Sequence, residues 1–208
     1  MLQIIPALLV AITVVIQCLA VQMSRYRLSR MNARPPHHGL ALMSGMLAAA
    51  AIILRLYQND SAVGALFMTI MTGCMTLMTL TDAASCRLPR PFTIMYLISG
   101  SAFRLWQGDW LTGLCSAGFW FLLLLLFRQY TSYRRKTETI GLGDVFLIAG
   151  IAIWSPPGDI PWIVATAAGG ALLYLWCNRQ RRITRELPFG PFLCASQYAF
   201  TFYPGGLW

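Results

Sequence analysis

The chain has 208 residues, of which 57% are hydrophobic and 11% are charged, and its 16 Lys and Arg against 7 Asp and Glu give a net charge of +9. Soluble domains carry about 25% charged residues, and disordered chains are poor in apolar residues, so this composition argues against both classes. A basic chain could bind nucleic acid. One this apolar fits a membrane better, because cytoplasmic loops of membrane proteins collect Lys and Arg. We therefore expect contact with membrane lipid and no nucleic acid partner.

The apolar residues are grouped into runs of the length that membrane helices need, which is about 20 residues. Eight such runs lie near 3–22, 39–56, 62–81, 92–106, 110–127, 144–155, 160–177 and 190–204. Two of them, 92–106 and 144–155, are short for a span, so we expect them to extend into flanking polar residues or to be partly buried in a bundle. The first run has no Lys or Arg before its apolar core and no clear cleavage site, and is predicted to be a retained helix. The sequence thus predicts an all-α, polytopic membrane protein with about eight transmembrane helices in a single domain, 1–208.

The basic residues test this map, because they should gather on one side of the membrane. If every run crosses, all Lys and Arg residues except Arg55 and Arg104 fall in four segments on the same side: between the first and second runs, the third and fourth, the fifth and sixth, and the seventh and eighth. This side is predicted to be cytoplasmic and both termini periplasmic. Arg55 and Arg104 fall at helix ends towards the opposite side, where we expect them to snorkel to the interface.

Most acidic residues have an ordinary structural explanation. Asp residues in the outer turns favour the turn itself, and Glu residues in basic loops act as solvated counter-charges; these are Asp60, Asp109, Asp159, Glu138 and Glu186. Asp82 and Asp144 remain, and each adjoins an apolar run at the cytoplasmic edge. Acids near hydrocarbon are costly and are by default candidates for a function. The structural alternatives are an N-cap for Asp144 and a loop acid outside the membrane for Asp82.

Two carboxyl groups at the same depth on the same face permit a paired-carboxylate site. Such a pair shares one proton more readily than it carries two charges, and the titration belongs to the pair. The ionised member can take a proton from water while the protonated member polarises a peptide carbonyl, as in aspartic proteases. This chemistry needs no metal and no cofactor. Gly141 and Gly143, on either side of Leu142, would let backbone approach the site closely.

Three motifs, in this order, resemble those of a known family. Asp82 is followed by Leu88-Pro89 at the spacing Asp-x6-Pro and by Thr93 beyond. Gly141-Leu142-Gly143-Asp144 is similar to the GxGD motif of membrane aspartyl proteases, and Leu187–Leu193 contains the letters PFGPFL. Together they resemble the type IV prepilin peptidases, which are eight-helix enzymes of the bacterial inner membrane with their aspartates on the cytoplasmic side.

The resemblance implies a function and a set of site residues. These enzymes cut the short basic leader from prepilins and pseudopilins after a glycine, at the cytoplasmic membrane face. By this match Asp82 and Asp144 are the catalytic pair, and no metal or cofactor is expected. The residues expected to shape the site or seat the substrate are Gly141, Gly143, Leu88, Pro89, Pro188, Phe189, Gly190 and Pro191.

The chain departs from the family pattern at several places. It has Phe146 where Lys is frequent and Arg90 where Asp or Asn usually follows Leu-Pro, and we expect both to affect tuning or substrate choice. Larger members carry a cytoplasmic domain, often with a four-cysteine zinc site, and methylate the new N-terminus. Here the corresponding loop is predicted to be Met23–His38, without cysteine, so we expect a peptidase without zinc and without methyltransferase activity. The adjacent His37 and His38 are expected to be solvated, since two neighbouring histidines lack the further ligands of a metal site.

Other functions fit parts of this pattern. The nearest is another GxGD protease, either a preflagellin peptidase or one of the signal-peptide-peptidase kind. The Asp-x6-Pro spacing and the eight predicted crossings favour the prepilin type. A small proton- or cation-coupled transporter would place polar residues near mid-membrane and often contains paired repeats. A non-catalytic membrane subunit would tolerate Asp→Asn at both positions.

Overall fold

A computed structural model describes residues 4–30, 38–57, 61–86, 88–135, 141–177 and 187–202. These segments form eight α-helices, and no strand occurs in them. In chain order the helices are α1 Ile4–Arg30, α2 His38–Tyr57, α3 Ala62–Ser85, α4 Arg90–Gln107, α5 Trp110–Arg135, α6 Leu142–Trp154, α7 Ile160–Cys177 and α8 Gly190–Phe202. The predicted all-α class is confirmed, with one helix for each apolar run.

Two helices continue well past their apolar runs. α1 extends to Arg30 and α5 to Arg135, although their apolar runs end near 22 and 127. Arg is a good helix former, and a long arginine stem can leave the apolar region while its backbone stays helical. The predicted loop Met23–His38 is therefore wrong in its first half, which is helical. Residues 31–37, including His37, and the side chain of His38 lie outside the described part of the chain.

The helices differ in how well they match the thickness of a bilayer. Four of the described helices, α1, α3, α5 and α7, are long and apolar enough to cross a membrane. By contrast, α6 and α8 have 13 residues each, which is roughly 20 Å of helix against a hydrocarbon core of about 30 Å. Residues 145–154 of α6 are nearly all buried inside the protein. A membrane protein is supported, and the count of eight crossings stays a prediction.

Helix α3 lies at the centre of the bundle. Every residue from Met71 to Asp82 is buried, because α1, α2, α4 and α8 all pack against this helix. Its neighbours α4 and α8 also pack against α6. The ends of α3 and α6 that carry Asp82 and Asp144 are therefore held together through two shared partners.

Arg104 does not snorkel as the sequence predicted. Its side chain is buried and donates hydrogen bonds from Nε to the carbonyl of Ile153 over 2.8 Å and from Nη2 to the carbonyl of Ser155 over 3.0 Å. A third nitrogen lies 3.4 Å from Asp109 Oδ2. Helix ends leave carbonyls unpaired, and this guanidinium pairs two of them at the end of α6. Arg104 therefore fastens α4 to α6 at the end of α6 opposite Asp144.

Candidate active site

Asp82 belongs to the last turn of α3. The helix ends at Cys86, whose positive φ of 50° marks a left-handed cap and whose N–H donates to the Asp82 carbonyl over 2.8 Å. The Asp82 side chain is only 4% exposed. It is thus a buried helical residue and not a loop acid.

The beginning of α8 lies directly against Asp82. The N–H of Gly190 donates to Asp82 Oδ2 over 2.8 Å. A Cβ at position 190 would lie 2.8 Å from that oxygen and 3.2 Å from the Asp82 Cβ, so the close approach requires glycine. Before it, Pro188 and Phe189 are half-buried and non-helical, and the Phe189 carbonyl accepts from the N–H groups of the first turn of α8. Pro191 is half-buried at the second helical position, where its missing N–H costs nothing.

Asp144 lies in the first turn of α6. The N-cap of this helix is Gly141, which has extended backbone, and the N–H of Asp144 donates to the Gly141 carbonyl over 3.1 Å. The N-cap alternative for Asp144 is therefore wrong. Its side chain is half-buried and lies within electrostatic range of Asp82.

Gly143 and Leu88 join the two motifs. A Cβ on Gly143 would lie 2.7 Å from the Cβ of Leu88, so the first turn of α6 approaches the segment after Asp82 as closely as a glycine allows. The next residue, Pro89, is the N-cap of α4, and its carbonyl accepts from the N–H of Phe92 over 3.1 Å. Leu88 and Pro89 therefore connect the end of α3 to the start of α4 beside the GxGD turn.

The ends of α3, α6 and α8 set the electrostatic environment of Asp82 and Asp144. The N-termini of α6 and α8 both meet the acidic pair, and the positive ends of helix dipoles stabilise nearby carboxylates. Asp82 lies at the C-terminus of α3, where a negative charge is unfavourable. The direct bond from Gly190 N–H offsets that cost.

The residues that depart from the family pattern lie next to the site. Phe146, two residues after Asp144, contacts Phe121 of α5 with ring centroids 5.3 Å apart. Arg90 is exposed at the start of α4. A contact that the sequence did not predict lies nearby, with the Arg27 guanidinium of α1 5.3 Å from the Phe92 ring centroid. It joins the C-terminal part of α1 to the start of α4.

No group of three His, Cys, Asp or Glu side chains that could hold a metal occurs among the described residues.

One neighbour of Asp82 was not predicted from the sequence. Cys194 of α8 lies within hydrogen-bonding reach of Thr79 and in electrostatic range of Asp82. No spacing rule could have found it, because Cys194 and Asp82 are far apart in the chain and meet only through the packing of α8 on α3.

A bundle of helices, four of them long and apolar enough to cross a membrane, with two acids in electrostatic range of each other at one end, defines the class of this protein. The model of the Type IV leader peptidase family matches residues 66–176, which is more than half of the chain, so the chain belongs to that family. This range contains both acids and the motifs around them, while Pro188–Pro191 lie outside it.

Two curated relatives are similar to most of the chain. Both are called prepilin leader peptidase/N-methyltransferase and come from Burkholderia pseudomallei, strains 1026b and K96243. Each is 33% identical over 175 residues, which cover 79% of this chain and 53% of the relative. The chain thus spans about half the length of these relatives. No solved structure matches it. The predicted family is confirmed.

Proposed function

We propose that this protein is a membrane aspartic endopeptidase that removes the basic leader peptide from type IV prepilins or pseudopilins. The cut follows a glycine at the cytoplasmic face of the bacterial inner membrane. The observation that carries the proposal is that Asp144 on α6 lies within electrostatic range of Asp82 on α3, at the end of the bundle where α8 begins. The names of the relatives and the family match support the same substrate class.

In the proposed mechanism the two carboxyl groups share the proton work. One, ionised, removes a proton from a water molecule, and the other, protonated, donates to the scissile carbonyl. The N–H of Gly190 donates to Asp82 Oδ2. This hydrogen bond fixes the orientation of the carboxyl group and leaves Oδ1 for the reacting water. When the tetrahedral intermediate collapses, the C–N bond breaks, the first carboxyl group gives its proton to the leaving amine, and the second recovers its proton from a hydroxyl of the intermediate. The two acids are held near each other by the segments around them, which contain Gly141, Gly143, Leu88 and Pro89.

Substrate recognition cannot rest on simple charge attraction, because leader and enzyme face are both basic. We propose that the apolar helix that follows the cleavage point packs between enzyme helices within the membrane. The half-buried Phe189 and Pro191 beside Asp82 are the residues that would seat the extended peptide. A preflagellin peptidase is the remaining alternative of the same chemistry, and a substrate panel separates the two.

Co-expression with a candidate prepilin tests the proposal. Wild type should remove the leader, as seen by gel shift, and N-terminal sequencing should place the cut after a glycine. Asp82→Asn and Asp144→Asn should each abolish cleavage. Asp109→Asn, which changes an exposed carboxylate at the opposite end of α4, is the matched control and should cleave normally. Cleavage by either of the first two variants contradicts the two-aspartate mechanism, and the mass of the new N-terminus, expected to be unmethylated, tests the absence of methyl transfer.

A further inference from the structure

One face of α3 carries a row of buried threonines that ends at Asp82. The helix repeats a Met-Thr pair at 68–69, 71–72, 75–76 and 78–79, and this spacing of three and four residues keeps the hydroxyl groups on one face. All four threonines are buried, and Thr76 is 0% exposed. Asp82 follows the last of them by three residues and continues the row.

Helices α1 and α8 enclose this row. From α1, Gln17 Nε2 donates to Thr72 Oγ1 over 3.3 Å, and Thr13 Oγ1 lies 3.2 Å from Thr69 Oγ1. From α8, the hydroxyl of Tyr198 donates to the Thr72 carbonyl over 3.2 Å. Cys194, one turn earlier on α8, lies beside Thr79 and Asp82. The row is therefore a polar seam inside the bundle.

At the middle of this seam, one buried oxygen atom lacks a hydrogen-bond partner within the described segments, and a second has only the Tyr198 hydroxyl within reach. They are Gln17 Oε1 and Thr76 Oγ1, and the Gln17 side chain is only 7% exposed. The Tyr198 hydroxyl gives its proton to the Thr72 carbonyl, so it cannot also donate to Thr76 Oγ1 beside it. Gln17 donates to the hydroxyl of the same Thr72, so both atoms belong to the same turn of the seam. Buried polar atoms are paired in roughly 90% of cases, and ordered water is the usual partner where protein groups do not suffice.

We propose that Gln17, Thr76 and Tyr198 hold ordered water inside the bundle, and that this water extends along Thr79 and Cys194 to hydrate Asp82 from the interior. Thr76 lies six residues before Asp82, about 9 Å along the helix, which about three hydrogen-bonded waters would bridge. Resting on the proposed function, the site would supply the reacting water when a substrate covers the cytoplasmic opening. The alternative is a dry seam whose polar groups only attach helices to one another.

Pulsed X-ray hydroxyl-radical labelling of the full chain in detergent tests the water site without any substrate. Radicals formed from bound water modify the side chains that touch it. Tyr198 and Tyr96 are both buried, and both hydroxyls donate a hydrogen bond within the protein, to the Thr72 carbonyl over 3.2 Å and to Gln197 Oε1 over 2.6 Å. Only Tyr198 is part of the proposed water site. Tyr198 should therefore be modified several times faster than Tyr96. Equal, slow modification of the two tyrosines overturns the proposal.

Two variants sharpen the test. Thr76→Val keeps the shape of the side chain but removes the hydroxyl, and should lower the modification of Tyr198 to the level of Tyr96. Thr201→Val is the matched control, since Thr201 is buried and its hydroxyl is satisfied by the Gln197 carbonyl over 2.8 Å. It should leave the modification of Tyr198 unchanged. Persistence of fast Tyr198 modification in a folded Thr76→Val protein contradicts the assignment of Thr76.

Cleavage kinetics test the role of the water separately. If the site supplies Asp82, Thr76→Val should lower kcat several-fold and leave KM unchanged, with Thr201→Val at wild-type values. An unchanged kcat together with lost Tyr198 labelling overturns the supply role and leaves the water site standing. A wild-type protein that cleaves no prepilin contradicts the proposed function, while the labelling result still decides the water site.

Discussion

The Asp82 carboxyl group depends most directly on residue 190, because an added Cβ would meet its Oδ2 at 2.8 Å and its Cγ at 3.2 Å. Gly190→Ala should displace Asp82 or the start of α8, and a misplacement of about 1 Å can cost about 100-fold in rate. We expect a loss of that order in prepilin cleavage, measured by leader removal at fixed substrate.

The matched control for that change is Gly169→Ala on α7, where a Cβ meets nothing within 4 Å. This variant should cleave normally and be more stable by up to about 1 kcal/mol, since alanine suits a helix better than glycine. Normal cleavage by a folded Gly190→Ala protein would show that the contact between α8 and Asp82 is not needed.

Gly143 offers a double-mutant test of the contact between the two aspartate motifs. The Cβ that alanine adds would meet Leu88 at its own Cβ, 2.7 Å away, so rotation of the leucine side chain cannot relieve the clash. Gly143→Ala should therefore slow cleavage by shifting Asp144. Adding Leu88→Gly should restore part of the rate, with a coupling of about 1 kcal/mol or more between the positions. Purely additive effects of the two single changes contradict the contact.

Much of the site could be predicted from single residues. Asp82 and Asp144 stood out because an acid beside an apolar run is costly, and the motifs around them named their neighbours. The contact of Gly190 with Asp82 could not be predicted physically, since it depends on where α8 begins in space. The same is true of Gln17, whose partner Thr72 belongs to another helix and whose place within an apolar run carries no sign of a polar seam.

At the scale of helices, Arg104 shows what periodicity cannot reveal. An arginine near a helix end either reaches water or caps another helix, and only the packing of α4 on α6 decides between them. Here it pairs the carbonyls of Ile153 and Ser155. The ends of α1 and α5 were also mispredicted, because a hydrophobicity scan stops at the first arginine whereas the helical backbone continues past it.

Removal of this guanidinium should destabilise the end of α6. Arg104→Met keeps much of the apolar stem but leaves two buried carbonyls unpaired, and we expect a loss of about 3 kcal/mol in unfolding free energy, measured by denaturant titration in detergent. Asp109→Asn should cost less than about 1 kcal/mol, because Asp109 is 51% exposed and its ion pair is long at 3.4 Å. Equal stability of Arg104→Met and wild type contradicts the capping role.

For the whole molecule, the number of helices that cross the bilayer is a testable prediction. The distribution of Lys and Arg predicts eight crossings, yet α6 and α8 are shorter than the hydrocarbon core. Burial resolves this conflict for α6, because a helix enclosed by α4, α5 and α8 contacts lipid little and need not match the bilayer thickness. An α6 of 13 residues is therefore compatible with the predicted eight crossings.

Single introduced cysteines and a membrane-impermeant maleimide measure the crossings in the intact fold. Gln107→Cys lies at the exposed last position of α4 and Gly158→Cys at an exposed position in the turn after α6. Tyr133→Cys lies at the 87% exposed position near the end of α5. With eight crossings, the first two react in spheroplasts, whereas Tyr133→Cys reacts only after lysis; the wild-type chain, with its own six cysteines, gives the background. Protection of Gly158→Cys in spheroplasts would mean that α6 does not cross. Asp144 and Asp82 could then still meet at the cytoplasmic face, but α7 and α8 would be inverted, and the start of α8 could no longer reach Asp82 from that side. The contact between Gly190 and Asp82 therefore requires that α6 crosses the membrane. Labelling of Gly158→Cys in spheroplasts supports both the crossing and the contact, and its protection contradicts both.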